Sequence, residues 1–150
     1  MRVLGVCGGN GVFLHPFKKY LIANVEPRSI FYTKKDIQWK SNFGNIPMVK
    51  ELPNTKSIGD IDLIIGAPDC GHSSILALSR AKKKGNPREN GSIDTYFKSI
   101  KRFKPDMWVM ENLPALLDVI TEDEITELFP NYRIRFFCDS VSIYGNSQIT

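Results

Sequence analysis

Five short apolar runs punctuate the chain, separated by longer amphipathic or polar stretches. Arg2 to Val6 (RVLGV) reads as a buried strand and runs directly into glycines. Tyr20 to Val25 (YLIANV) predicts a second strand. Ile61 to Ala67 (IDLIIGA) predicts a third, apolar almost throughout, as strands covered on both faces are. Met107 to Met110 (MWVM) predicts a fourth and Tyr132 to Cys138 (YRIRFFC) a fifth. Ile93, Tyr96, Phe97, Ile100 and Phe103 recur at helical spacing and predict an amphipathic helix over Ile93 to Phe103. Thr121 followed by Glu124 has capping-box spacing and starts a helix running to Phe129. Pro114 to Ile120 predicts a shorter helix with proline in its first turn. Asn42 to Ser57 and the basic Arg80 to Asn90 read as loops. Strands alternating with helices predict an α/β fold, a doubly wound and mostly parallel sheet. Ligands of such sheets sit at the carboxyl ends of the strands, where residues of chemical interest should follow.

Composition narrows the class. The chain has 150 residues, 42% hydrophobic and 24% charged, which suits one globular domain and not a disordered chain. No stretch reaches the roughly 20 apolar residues of a membrane span. The amino-terminal apolar run stops at glycines and does not read as a signal peptide. Cys7, Cys70 and Cys138 are too few and too far apart for a disulfide framework, and a reducing cytoplasm is the expected home. The net charge of +4 hints at a polyanionic partner.

Three constellations could carry chemistry, and each follows a predicted strand. The first is Val6-Cys7-Gly8-Gly9-Asn10-Gly11. Its glycines allow a tight turn and close approach of a ligand, and Glu26 at the end of the next strand is placed to accept from ribose hydroxyls. Together they favour a nucleoside-containing cofactor. The spacing is not GxGxxG, which disfavours a nicotinamide. The second is Pro68-Asp69-Cys70-Gly71-His72-Ser73-Ser74, where a strand-end cysteine could be a nucleophile. The third is Glu111-Asn112-Leu113-Pro114, where a carboxylate ends an apolar strand. A cysteine and a carboxylate ending two parallel strands suit nucleophilic addition to a ring that the acid protonates. Cys7, Cys70, His72 and Cys138 contain no CxxC pair, and no metal site is expected.

This order of glycine loop, strand-end Glu, Pro-x-Cys and Glu-Asn resembles the DNA cytosine-5 methyltransferases. Their Pro-Cys followed by Ser stands here as Pro68-Asp69-Cys70 with Ser74, and their Glu-Asn-Val as Glu111-Asn112-Leu113 after Lys104-Pro105. Gly44-Asn45-Ile46 resembles their adenine-contacting Gly-Asp-Ile. Tyr144-Gly145-Asn146-Ser147-Gln148 resembles the start of their Gln-x-Arg-x-Arg segment, whose arginines would fall beyond Thr150.

The resemblance implies a Rossmann-like fold of the S-adenosylmethionine-dependent methyltransferase type. It implies transfer of a methyl group from S-adenosyl-L-methionine to C5 of cytosine in double-stranded DNA. Cys70 would add to C6 of the flipped base, with Glu111 holding the ring. Val6, Gly8, Gly11, Glu26, Asn45, Ile46 and Pro68 would bind the cofactor. Ser74, Lys82, Lys83, Lys84 and Arg88 would meet the DNA. Residues 1–150 would form the catalytic domain, incomplete at its carboxyl end and without a target-recognition domain. A second chain carrying the missing segments, or self-association, would then complete it. Two alternatives stay open: the same chemistry on a tRNA cytosine, and a catalytically silent fragment or partner subunit of the same fold.

Overall fold

The computed structural model describes residues 1–9, 11–27, 38–69 and 91–138. Five parallel strands form one sheet: β1 (Val3–Val6), β2 (Leu21–Val25), β3 (Met48–Val49), β4 (Leu63–Gly66) and β5 (Met107–Met110), in the order β3-β2-β1-β4-β5. A 3-10 helix, Val12–Tyr20, joins β1 to β2. Helical residues 38–43 (α1) and the short α2 (Thr55–Ile58) flank β3. Then come α3 (Ser92–Phe103), a 3-10 turn at Pro114–Asp118, and α4 (Glu122–Leu128).

The apolar runs form the centre of the sheet for the expected reason. All four residues of β1 and all four of β4 are buried, each strand being covered on both faces. One face carries Leu4, Val6, Ala23, Val25 and Ile64 under Tyr96 and Ile100 of α3 and Ile125 of α4. The other carries Val3, Leu21, Leu63 and Ile65 under Leu14, Trp39 and Phe43. The β1–β2 register shifts between Val3 and Leu4, because Leu21 and Ala23 oppose these neighbours and Ile22 is bulged out.

Two glycines set distances that no other residue allows. A Cβ on Gly66 would lie 1.8 Å from the Val6 carbonyl oxygen, so β4 can leave beside β1 only as glycine. Gly11 has φ 87°, and a Cβ there would meet Phe43 at 2.2 Å and Trp39 at 2.9 Å.

α3 turns its apolar stripe inward, burying Ile93, Tyr96, Ser99 and Ile100. Asp94 lies in its first turn and Lys101 and Arg102 in its last, matching the helix dipole. The expected capping box of α4 is present: Thr121 Oγ1 accepts from Glu124 N–H, and Glu124 Oε2 accepts from Thr121 N–H at 2.8 Å. No helix among the described residues is long and apolar enough to cross a membrane.

Two expectations need correction. Residues 42–57 are not a plain loop; they include the end of α1, β3 and α2. The fifth expected strand is not formed in its described residues, 132–138, which pair with no strand. Their alternation has another cause. Tyr132 and Ile134 pack on the core beside Trp108, and the Tyr132 hydroxyl donates to Pro105 O at 2.7 Å. Phe136 and Phe137 stay exposed. The period of two thus comes from side chains leaning on the domain, without a backbone ladder.

Candidate functional site

The loops leaving β1, β2, β4 and β5 gather at the carboxyl edge of the sheet. Strand order reverses between β1 and β4, the position where such sheets open a crevice. The loop after β1 turns sharply: Cys7 has φ 58° and Gly9 φ 57°. Its N–H groups are already engaged. Cys7 donates to Val25 O at 2.7 Å, Gly8 to Asn24 Oδ1 at 3.2 Å, and Gly9 to Glu26 Oε2 at 3.0 Å. Gly11 donates to Gly8 O at 2.9 Å. The first three donors are therefore all held by consecutive residues of and after β2. A phosphate-binding turn works by presenting free N–H groups. Here those groups are taken up by Val25 O, Asn24 Oδ1 and Glu26 Oε2.

Glu26 is buried, 2% exposed, and its own N–H donates to Val49 O at 2.8 Å. Asn24 is fully buried against Leu14. Its Oδ1 serves Gly8, but its Nδ2 has no hydrogen-bond partner among the described residues. An unsatisfied buried donor costs about 1–3 kcal/mol. A leucine would avoid that cost, so what Asn24 contributes is its acceptor.

The loop after β4 is held from two sides. Asn112 Nδ2 donates to Pro68 O at 2.9 Å, and Asp69 N–H donates to Ser92 Oγ at 2.8 Å. Asn112 Oδ1 also accepts from Leu113 N–H at 2.9 Å, which fixes the amide's orientation. Glu111 N–H donates to Gly66 O at 2.9 Å, extending the β4–β5 ladder by one residue, and the Glu111 side chain is exposed. Ser92 opens α3 and links two loops: its carbonyl oxygen accepts from the Cys7 thiol at 3.5 Å. Beneath them, Tyr96 donates to Val109 O at 2.6 Å, and burial, with Cys7 nearby, pushes its hydroxyl pKa well up.

The structure thus brings Val6, Gly8, Gly11, Glu26, Pro68 and Glu111 to one edge of the sheet. It does not bring Asn45 and Ile46 there. Met48 pairs with Asn24, so Asn45 and Ile46 enter β3, whereas Lys50 and Glu51 leave it beside Glu26. Ile46 O accepts from Trp39 Nε1 at 2.6 Å. Asn45 and Ile46 line an open cleft of about 490 Å³ with Trp39, Lys40, Gly44, Pro47 and Met48. Cys70, Ser74, Lys82, Lys83, Lys84 and Arg88 lie outside the described residues, as do Asn10 and residues 144–148. Sequence reasoning passed over Asn24, Ser92 and Trp39. Only Asn24 left a signal, as a polar residue inside an otherwise apolar buried strand.

The chain is 29% identical to the type II methyltransferase M.DdeI of Desulfomicrobium norvegicum over 168 aligned positions, which cover 99% of this chain and 38% of that protein. It is 38% identical over 58 residues to the type II methyltransferase M.Bpa9945I of Bacillus paralicheniformis, covering 38% of this chain and 13% of that one. The chain therefore spans well under half the length of these relatives. Among solved structures, it superposes with a TM-score of 0.55 on a protein assigned as a DNA modification methyltransferase of an E. coli prophage. That match has 17% identity and covers 87% of this chain and 37% of the other. The likeness fits the five-stranded parallel sheet and gives the fold as α/β, Rossmann-like. No family model matches the chain. The chain is thus similar in sequence to two type II methyltransferases, and the solved structure gives its fold.

Proposed function

We propose, from this relationship to type II methyltransferases, that the chain carries the catalytic part of a DNA cytosine-5 methyltransferase that uses S-adenosyl-L-methionine. One observation carries the reading. The Asn112 amide, held at 2.9 Å on Pro68 O, ties the Glu111 end of β5 to the segment that leads into Cys70. Two motifs whose bonded residues lie 44 positions apart in sequence are thereby neighbours, which a shared substrate requires.

The residues fit the cofactor. It has no phosphate, so a loop with engaged N–H groups is no handicap. Its ribose hydroxyls want an oxygen acceptor, and Glu26 would supply one. When bound, it supplies an electrophilic methyl group. Val6, Gly8, Gly11 and Pro68 would border it, and Lys50 and Glu51 are better placed for its base than Asn45 and Ile46.

The chain's own residues would do the rest. The Cys70 thiolate adds to C6 of a flipped cytosine, and the ring electrons move to C5. Protonated Glu111 gives its proton to N3 as the thiolate adds, and the carboxylate left behind accepts from N3–H and the exocyclic amine, charge-assisted hydrogen bonds that stabilise the ring. Once C5 has gained its methyl, water takes the C5 proton, the C6–S bond breaks so that Cys70 leaves as thiolate, and N3 returns its proton to Glu111. Ser74, Lys82, Lys83, Lys84 and Arg88 would contact the duplex.

The test is covalent trapping on duplex DNA containing 5-fluorocytosine, with S-adenosylmethionine present. The fluorine cannot leave as a proton does, so the adduct persists. Cys70→Ser should abolish it, while Cys7→Ser and Cys138→Ser keep it. Trapping that survives Cys70→Ser overturns the assignment.

A further inference from the structure

In the loop after β1, positive φ at Cys7 and Gly9, with Gly8 between them outside that region, is the kind of alternation that turns successive N–H groups toward a common point. Such a nest ordinarily binds an anion. Here the N–H groups close on β2 instead, and two of the three acceptors are side chains, Asn24 Oδ1 and Glu26 Oε2. We infer that Asn24 is a positioning and specificity residue: by holding the Gly8 N–H it fixes the loop in a donor-poor form that accepts a phosphate-free cofactor and rejects phosphate-bearing ones.

Asn24 is suited to this task because it cannot do otherwise. It is fully buried beside Leu14, so its Oδ1 has no competing water. The unpartnered Nδ2 means that the amide gains nothing from its other end. Glu26 differs in being a carboxylate that the proposed cofactor also needs. Asn24 therefore shapes the loop without touching the ligand. The ligand half of this inference rests on the methyltransferase reading; the loop half does not.

The experiment uses the 150-residue chain and three variants. Asn24→Leu keeps the branched shape and removes the acceptor, Asn24→Ala removes it if the larger leucine prevents folding, and Asn24→Asp keeps an acceptor. Amide hydrogen exchange is read at Gly8, with Leu4 and Ile64 as internal references. Binding of S-adenosylhomocysteine and of inorganic pyrophosphate is read by calorimetry. Loss of the acceptor should speed Gly8 exchange and weaken S-adenosylhomocysteine, each by about five- to tenfold, with Leu4 and Ile64 unchanged. Pyrophosphate should bind only the acceptor-free variants, and Asn24→Asp should resemble the parent. Unchanged Gly8 exchange in a folded acceptor-free variant overturns the inference, as does pyrophosphate binding by the parent chain. If the parent binds no S-adenosylhomocysteine, the cofactor reading fails, while Gly8 exchange still decides the role of Asn24.

Discussion

The main-chain N–H of Asp69 rests on the hydroxyl of Ser92, 2.8 Å away, so the loop that leads toward Cys70 is pinned to the first turn of α3. The same serine receives the Cys7 thiol on its carbonyl oxygen. Removing the hydroxyl should leave the Asp69 donor without this acceptor, a loss of about 1 kcal/mol. Ser92→Ala should therefore lower the melting temperature by roughly 2–4 °C in a domain of this size. Ser92→Thr, which keeps the hydroxyl, should melt with the parent. Equal melting of Ser92→Ala and the parent would show that the contact contributes nothing.

Glu111 is exposed at the end of β5, where it costs the fold little. Glu111→Gln should accordingly leave stability unchanged. In an active methyltransferase assembly it should lose a charge-assisted hydrogen bond of about 1.5–3 kcal/mol, hence roughly one to two orders of magnitude in rate. Cofactor affinity should barely move. Methyl transfer at the parental rate would reduce Glu111 to a surface residue.

Gly66 allows no side chain. With Val6 O only 1.8 Å from where its Cβ would be, Gly66→Ala must push β4 away from β1. The expected cost is about 3 kcal/mol, the upper range for overpacking a core. Urea unfolding with an unchanged midpoint would refute this.

Alkaline pH should destabilise the fold through Tyr96. Burial, with Cys7 adding to it, raises the hydroxyl pKa above its unfolded value of about 10. The folded state thus keeps a proton that the unfolded state releases. The stabilising contribution is whole below about pH 10 and disappears as pH climbs through the folded pKa. Tyr132 is shifted the same way, by burial first and Asp106 second. Tyr96→Phe should unfold more easily at neutral pH, having lost its bond to Val109 O, yet should show a flatter decline between pH 9 and 11. A parallel decline in both proteins would remove Tyr96 as the cause.

Much of the sheet was legible because buried parallel strands must be apolar throughout. RVLGV, YLIANV and IDLIIGA therefore announced β1, β2 and β4 within a residue or two, while MWVM matched β5 although Met107 and Val109 are exposed. β3 has only two residues, Met48–Val49, too few for any period to register. The 3-10 helix Val12–Tyr20 holds Pro16, which sequence reasoning treats as a breaker. Residues 132–138 misled through Tyr132 and Ile134, whose inward lean copies strand alternation. Carboxyl-edge residues such as Glu26 and Glu111 could be read because they interrupt or end apolar runs. Ser92 could not, because its importance lies in a contact across 23 residues. Asn45 precedes β3, a position its short motif could not convey, since a motif says nothing about which end of a strand it occupies.

The strand order β3-β2-β1-β4-β5 gives the chain a history as well as a shape. β1, made before the other four strands, ends at the middle of the sheet. One of its edges is closed by nearby β2, but the other waits for β4, with Arg2 meeting Asp62 across 60 residues of sequence. Until those residues leave the ribosome, an apolar strand stands with an open edge, the condition in which nascent chains recruit wrong partners. Closure of β4 on β1 is then the step that commits the molecule, and the bare edge of Gly66 lets it happen without a clash.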